Sequence, residues 1–137
     1  MKNGKLCIVV ADDQPNELAL AADPLRAQGM EVREATNGAE AWSRLQAIAT
    51  HAGQTGKGVR DEIRLILVDA EMPEMDGYVL TKNIKSDLRV TGIPVVMHSS
   101  LSSQANHAMG KAVGVDAYVA KFDAEVLADT LRPLLER

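Results

Sequence analysis

Aromatic side chains are nearly missing from this 137-residue chain: one Trp, two Tyr and one Phe make up 3% of it. Any core must therefore be filled by Val, Ile, Leu, Ala and Met, and hydrophobic residues at 46% are enough to fill one. Cysteine is scarce as well. Cys7 stands alone in an apolar run, so no internal disulfide can form; it reads as a small core residue in a reducing compartment. Basic charge is not in excess. Lys and Arg number 15 against 19 Asp and Glu, a formal charge of −4, which argues against general nucleic-acid binding. No apolar stretch is long enough to span a membrane, and the leading "MKNGK" carries no signal-peptide core. The expectation is one cytoplasmic domain over residues 1–137.

What the chain does have is a rhythm. Short apolar runs, "LCIVVA" (6–11), "MEVREA" (30–35), "IRLILV" (63–68), "IPVVM" (93–97) and "VDAYVA" (115–120), alternate with segments of helical period. The first, third and fourth are apolar at nearly every position, as strands covered on both faces are; the second alternates, as at a sheet edge. Between them, Leu18, Ala21, Ala22 and Leu25 form one stripe, and Ala41, Leu45, Ile48 and Ala49 the next. Leu80 and Ile84 mark a shorter helix, Ala105, Ala108, Met109 and Ala112 another, and Leu127, Thr130, Leu131 and Leu134 the last. Asn37 and Asp123 suit helix N-caps, and Gly29 and Gly114 suit helix stops. Pro24 and Pro133 lie inside helical patterns, and a bend is expected just before Pro24. Five strands alternating with five helices imply an α/β fold with a parallel sheet, right-handed crossovers and helices on both faces. The polar segment "THAGQTGKGVRDE" (50–62), with three glycines, is expected to be a surface loop. It lacks the leading glycine and the Ser or Thr of a phosphate-binding loop, and it follows a helix.

In an open parallel sheet, ligands bind beyond the carboxyl ends of the strands. The runs end there in Asp12-Asp13, Asp69, Ser99-Ser100 and Lys121. Each has an ordinary reading. The acid pair can cap a helix, Asp69 can form a turn, the serines can do either, Lys121 can be solvated, and Tyr118 can be a plain buried ring. Together they suggest more. Clustered carboxylates repel by about 4 kcal/mol per close pair in a partly screened site. A fold that keeps such a cluster points to a cation, and carboxylate oxygens suit Mg2+. Zinc is not indicated: His51, His98 and His107 lie in different elements at no ligand spacing, and His98 reads as a packing residue beside the site.

The stretches "VADD", "VDAEMPEMDGY", "IPVVMHSS" and "AYVAKF", in this order and spacing, resemble the receiver domain of bacterial two-component response regulators, the CheY-like domain. The resemblance covers nearly the whole chain. It implies a flavodoxin-like sheet of order 2-1-3-4-5. It also implies that Asp69 is the phosphoacceptor, and that Asp12, Asp13, Asp69 and the backbone carbonyl of Glu71 hold Mg2+. Ser99 matches the switch hydroxyl, Lys121 the phosphate-contacting lysine, Tyr118 the switch aromatic and Gly77 a close-packing glycine. Asp69, Lys121 and Ser99 would then support phosphorylation and dephosphorylation of the domain itself. Such a domain is a regulatory phosphoacceptor that acts on no separate substrate.

A finer likeness, through "MHSSLSSQANHAMGKAVGVDAYVAKF" and the long segment before the third strand, is to the receiver of CheV-type chemotaxis coupling proteins. In those proteins an adaptor domain resembling CheW precedes the receiver. The partners this implies are a chemotaxis sensor histidine kinase and a receptor-kinase array or adaptor domain, with no nucleic acid, no membrane insertion and a monomeric state. One departure stands out: Phe122 follows Lys121 where receivers usually have proline. Three alternatives remain open. One is a free-standing regulator acting at the flagellar motor. A second is a phosphatase with an aspartyl-phosphate intermediate, although Glu71 stands where such enzymes want a second Asp. The third is a binding module independent of phosphorylation.

Overall fold

Each of the five apolar runs becomes a strand in the computed structural model, which describes residues 7–56, 58–72, 75–99, 104–121 and 124–136. In chain order the elements are β1 (Cys7–Ala11), α1 (Pro15–Ala27), β2 (Glu31–Ala35), α2 (Gly38–Thr55), a 3-10 turn (Val59–Asp61), β3 (Leu65–Asp69), α3 (Gly77–Ser86), β4 (Val95–Ser99), α4 (Gln104–Val113), β5 (Ala117–Ala120) and α5 (Ala124–Leu135). Every strand pairing is parallel and the sheet runs β2-β1-β3-β4-β5. This is the expected α/β architecture, in the flavodoxin-like order 2-1-3-4-5. Strands β1, β3 and β4 are buried along their whole length, as their unbroken apolar runs require, while β2 and β5 form the edges.

Side chains alternate between the two faces of a strand, and that parity positions the site. Val9, Ala11, Ile66, Val68, Val95 and Met97 share a core with Ala41 and Leu45 of α2 and with Leu80 and Ile84 of α3. Ile8, Val10, Leu65, Leu67, Val96 and Val119 share the other with α1 and α5, through Leu18, Ala22, Leu127 and Leu131. Each fully buried Leu or Ile contributes about 1.5–3 kcal/mol relative to exposure, so the sheet is clamped from both sides. Followed to the carboxyl ends of the strands, the parity of Ile8 and Val10 falls on Asp12, and that of Leu65 and Leu67 on Asp69. The parity of Val96 falls on His98, and that of Val119 on Lys121. All four lie on the α1/α5 side of the sheet's carboxyl edge. Asp13, Ala70 and Ser99 have the opposite parity.

Several helix ends are those expected. Asn37 Oδ1 accepts from the Glu40 amide at 2.8 Å and caps α2. Asp76, not among the expected caps, accepts from the Val79 amide through Oδ1 at 2.9 Å and caps α3. Gly29 (φ 87°) and Gly114 (φ 98°) follow α1 and α4 in the left-handed conformation that glycine adopts without a Cβ clash. Helices α1 and α5 each continue as one helix past Pro24 and Pro133. Asp123, Ser100 and Phe122 lie outside the described residues.

Two expectations are corrected. The segment 50–62 is not a loop throughout, because α2 continues to Thr55 and stops at Gly56, φ 75°. The reason is Ala52, which is buried and extends the stripe of Leu45, Ile48 and Ala49 by one turn. One small apolar residue among polar ones and Gly53 is a weak sequence signal for a turn of helix. The second correction concerns α4. Of the expected inward stripe, Ala108, Met109 and Ala112 are exposed, Met109 at 52%, and the side chain of Ala105 lies outside the described residues. The helix docks instead through buried Gly110, where an added Cβ would stand 3.0 Å from the Tyr118 ring. Alanine is small enough to sit on either face, so an alanine pattern fixes a helix's rotation poorly.

Two glycines make opposite predictions. A Cβ on Gly77 would come 2.3 Å from the Asp69 carbonyl oxygen, whereas one on Gly53, inside α2, meets nothing within 4 Å. Gly77→Ala should cost about 2 kcal/mol or more through forced backbone movement. Gly53→Ala should stabilise by about 0.5–1 kcal/mol through helix propensity. Denaturant melts of the two variants against wild type measure both.

Candidate functional site

The strand ends bring together most of the charged groups expected there. The Lys121 side chain is 4% exposed, and its Nζ lies 3.0 Å from Asp12 Oδ2 and 3.2 Å from Asp69 Oδ2. A third carboxylate, from Glu17 in the first turn of α1, also pairs with this ammonium through Oε1. Oxygens of Asp12, Glu17 and Asp69 all lie within 4.8 Å of one another. Among the described residues, Lys121 is the only Lys or Arg paired with them. Backbone donors hold two of the acids. The Gln14 amide donates to Asp12 Oδ1 at 3.0 Å, and the Glu71 amide to Asp69 Oδ1 at 3.3 Å. Asp12 is thus both a turn former and a member of the charged cluster.

Burial governs the electrostatics. The Asp69 carboxyl is pushed up to about 7, first by desolvation and then by the charge of Asp12; Lys121 and the Glu71 amide oppose the shift. Burial by itself would lower the Lys121 ammonium, but hydrogen bonds to Glu17 and Asp12 and the charges of Asp69 and Asp12 outweigh it and hold the pKa above its ordinary value. His98 is pushed down to about 3 by burial and by Lys121, partly opposed by Glu17. It is therefore neutral. Its Nε2 is buried without a hydrogen-bond partner among the described residues, 3.6 Å from Asp12 Oδ2.

The residues of opposite parity face a different space. Asp13, Ala70, Glu71, Asp76, Tyr78 and Ser99 line an open cleft of about 550 Å³. Asp13 is half-buried and stands apart from the cluster of Asp12, Glu17 and Asp69. Ser99 is buried, and its carbonyl accepts from the Lys121 amide at 3.0 Å. Tyr118 is half-buried beside Gly110 and shares a hydrogen bond with Tyr78. Burial, that bond and the nearby charges of Glu71 and Asp76 raise the Tyr78 phenol above its ordinary pKa.

The donor set fits Mg2+. It is all oxygen, two of its carboxylates are buried within reach of each other, and three carboxylates stand against one ammonium. Two residues of the site escaped sequence reasoning. Glu17 lies one helical turn beyond Asp13, and that i, i+4 spacing at a strand-to-helix junction was its one signal. Tyr78 had none beyond its place after Gly77, because its partner is 40 residues away in sequence.

The model of the response regulator receiver domain matches residues 8–132. The chain belongs to that family. Receiver domains are regulatory phosphoacceptors of two-component systems; they take phosphate from histidine kinases and bind Mg2+ at an acidic pocket. This receiver is 28% identical to chemotaxis protein CheV3 of Helicobacter pylori over 95% of the chain, and it spans 41% of that protein's length. With chemotaxis protein CheY1 of the same organism it is 31% identical, covering 93% of this chain and 95% of that one. The solved receiver domain of the histidine kinase CKI1 from Arabidopsis thaliana superposes with a TM-score of 0.86 at 25% identity, covering 98% of this chain and 91% of that one. The receiver fold follows from the family match and the superposition, and the five-strand order from the topology. Among the described residues, no helix is long and apolar enough to cross a membrane.

The site's burial predicts a pH signature in metal-free buffer. Asp69 ionises near 3.8 in the unfolded chain and near 7 in the folded one. Between these values the folded state holds the extra proton, so stability falls as pH rises, and the whole cost is present above 7. His98 acts the other way. The unfolded chain takes up a proton below 6.5 and the folded protein only near 3, so this contribution is lost as pH falls through that window. The two largely offset each other in the wild type. Asp69→Asn removes only the first. In EDTA it should exceed wild type by on the order of 2–4 kcal/mol above pH 7, with the margin shrinking towards zero near pH 4. Melts across this range check it, and a margin independent of pH would contradict the assigned cause.

Proposed function

We propose that this chain is the phosphoacceptor of a chemotaxis-type two-component system, in which a histidine kinase phosphorylates Asp69 and a protein-binding face responds. The observation that carries the reading is Asp69 at the end of the central strand, with Lys121 Nζ 3.2 Å away and buried Asp12 beside it. A carboxylate oxygen of Asp69 attacks phosphorus, the bond from phosphorus to the kinase imidazole breaks, and the imidazole keeps the electron pair. Lys121 binds a phosphoryl oxygen as charge shifts onto it. Asp12 and Asp69 from the cluster, with Asp13 and the backbone carbonyl of Glu71 from the adjoining cleft, would hold Mg2+, which when bound neutralises the phosphoryl oxygens. Water later attacks phosphorus, and phosphate leaves with regeneration of the Asp69 carboxylate.

The acyl phosphate adds a charge of about −2 and strong acceptors. Ser99 donates to one of them, and its movement opens space for Tyr118. To turn, Tyr118 must give up its bond to Tyr78, and Gly110 of α4 rests on its ring. The α4-β5-α5 face, which carries exposed Met109 and Val126, then changes shape. The likeness to CheV3 and CheY1 supports the chemotaxis assignment; the likeness to CheV3 supports the receiver unit of a coupling protein, and the likeness to CheY1 supports a free-standing regulator as the second reading. Its setting in this reading is cytoplasmic, as a monomer, with a chemotaxis kinase array as partner.

Acetyl phosphate in Mg2+ should label wild type at Asp69 alone and leave Asp69→Asn unlabelled, read by intact-mass and peptide-mapping spectrometry. Full labelling of the variant at another residue would defeat the assignment. Ser99→Ala should still accept phosphate, but the NMR shift changes at α4 on phosphorylation should fall well below those of wild type.

A further inference from the structure

Glu17 belongs to none of the motifs that mark the site, yet it pairs with the group on which the site depends. A lysine ammonium has three protons to donate. Here three carboxylates surround it: Asp12 at 3.0 Å, Asp69 at 3.2 Å, and Glu17. No donor is left for a phosphoryl oxygen. For Lys121 to meet one, a carboxylate must let go. Asp69 carries the phosphoryl group itself. Asp12 is fully buried and fastened by the Gln14 amide. Glu17 is the remaining one, and it is suited to leave: its side chain is 30% exposed, and its flexible stem stands on the first turn of α1, where water can receive the carboxylate.

We propose that Glu17 is a latch on Lys121, a positioning residue that occupies the third donor of the ammonium in the resting protein and must release it before Lys121 can engage a phosphoryl group on Asp69. The inference rests on the phosphoacceptor reading and deepens it. The latch opposes phosphorylation in two ways. It stabilises the resting state by an interaction that the phosphorylated state lacks. It also places a like charge near the incoming anion. Release puts a carboxylate into solvent at the start of α1, so the chemistry at Asp69 is felt on the α1 side of the sheet as well as at Tyr118.

The test uses beryllium fluoride, an anionic phosphoryl mimic, titrated at saturating Mg2+ and followed by amide NMR shifts. Glu17→Gln, which keeps shape but removes the charge, should bind it about fivefold more tightly than wild type, the scale of one partly exposed ion pair. Unchanged or weaker binding overturns the latch. A second measurement, in EDTA, separates contact with Lys121 from a general field. Glu17→Gln should lower the melting temperature of wild type but leave that of a Lys121→Ala background unlowered. An equal loss in both backgrounds overturns the proposal. If wild type shows no Asp69-dependent response to beryllium fluoride, the phosphoacceptor reading fails on its own. The melting cycle needs no anion and still judges the contact between Glu17 and Lys121.

Discussion

One buried ammonium holds the carboxyl edge of this sheet together. Parallel strands end on the same side, so acids placed after β1 and β3 are brought close whatever their charge. Two buried carboxylates and a half-exposed third would repel strongly without a cation, and Lys121 supplies it from the edge strand β5. The pairing ties α1, β1, β3 and β5 at a single atom. The balance is incomplete, since three carboxylates share one ammonium. Buried ion pairs of this kind add little net stability once desolvation is counted. What this one provides is a site with unneutralised negative charge, suited to a divalent cation, and an ammonium already beside Asp69.

The same edge is where packing is thinnest. Strands β1, β3 and β4 are sealed between helices, but over residues 108–113 of α4 only Gly110 is buried, and Met109 and two alanines lie in solvent. Its anchor is Gly110 against the Tyr118 ring, and that ring is fastened by a hydrogen bond to Tyr78 at the start of α3. Segments with few buried apolar side chains belong to the low-stability end of a structure, and they move at modest energetic cost. A firmly packed sheet to place the charges and an exposed helix segment over the Tyr118 ring suit the phosphorylation sensor proposed above. Here they come from one feature, the contrast between solidly apolar strands and an alanine-rich helix.

Much of this was legible beforehand because it rests on local patterns. Continuous apolar runs marked the central strands, alternation marked the edge at β2, and Asn37 and the glycines at 29 and 114 marked helix ends through their own backbone chemistry. The clustering of Asp12, Asp69 and Lys121 followed from placing each at a strand terminus of a parallel sheet. The failures share a cause. The rotation of α4 and the last turn of α2 turn on single alanines or glycines, whose small side chains state no preference for core or solvent until a neighbour is in place.

By itself, then, the sequence determined the order and type of the elements and the identity of the residues at the sheet's carboxyl edge. Strand and helix periodicity, turn chemistry and the spacing of charged residues act within a few positions of the chain. Only the tertiary structure decided the number of carboxylates that share Lys121, the burial that lifts Asp69 and silences His98, and the pairing of Tyr78 with Tyr118 across 40 residues. Those properties depend on distances between groups far apart in sequence and on the exclusion of water. Neither exists until the two faces of the sheet have closed.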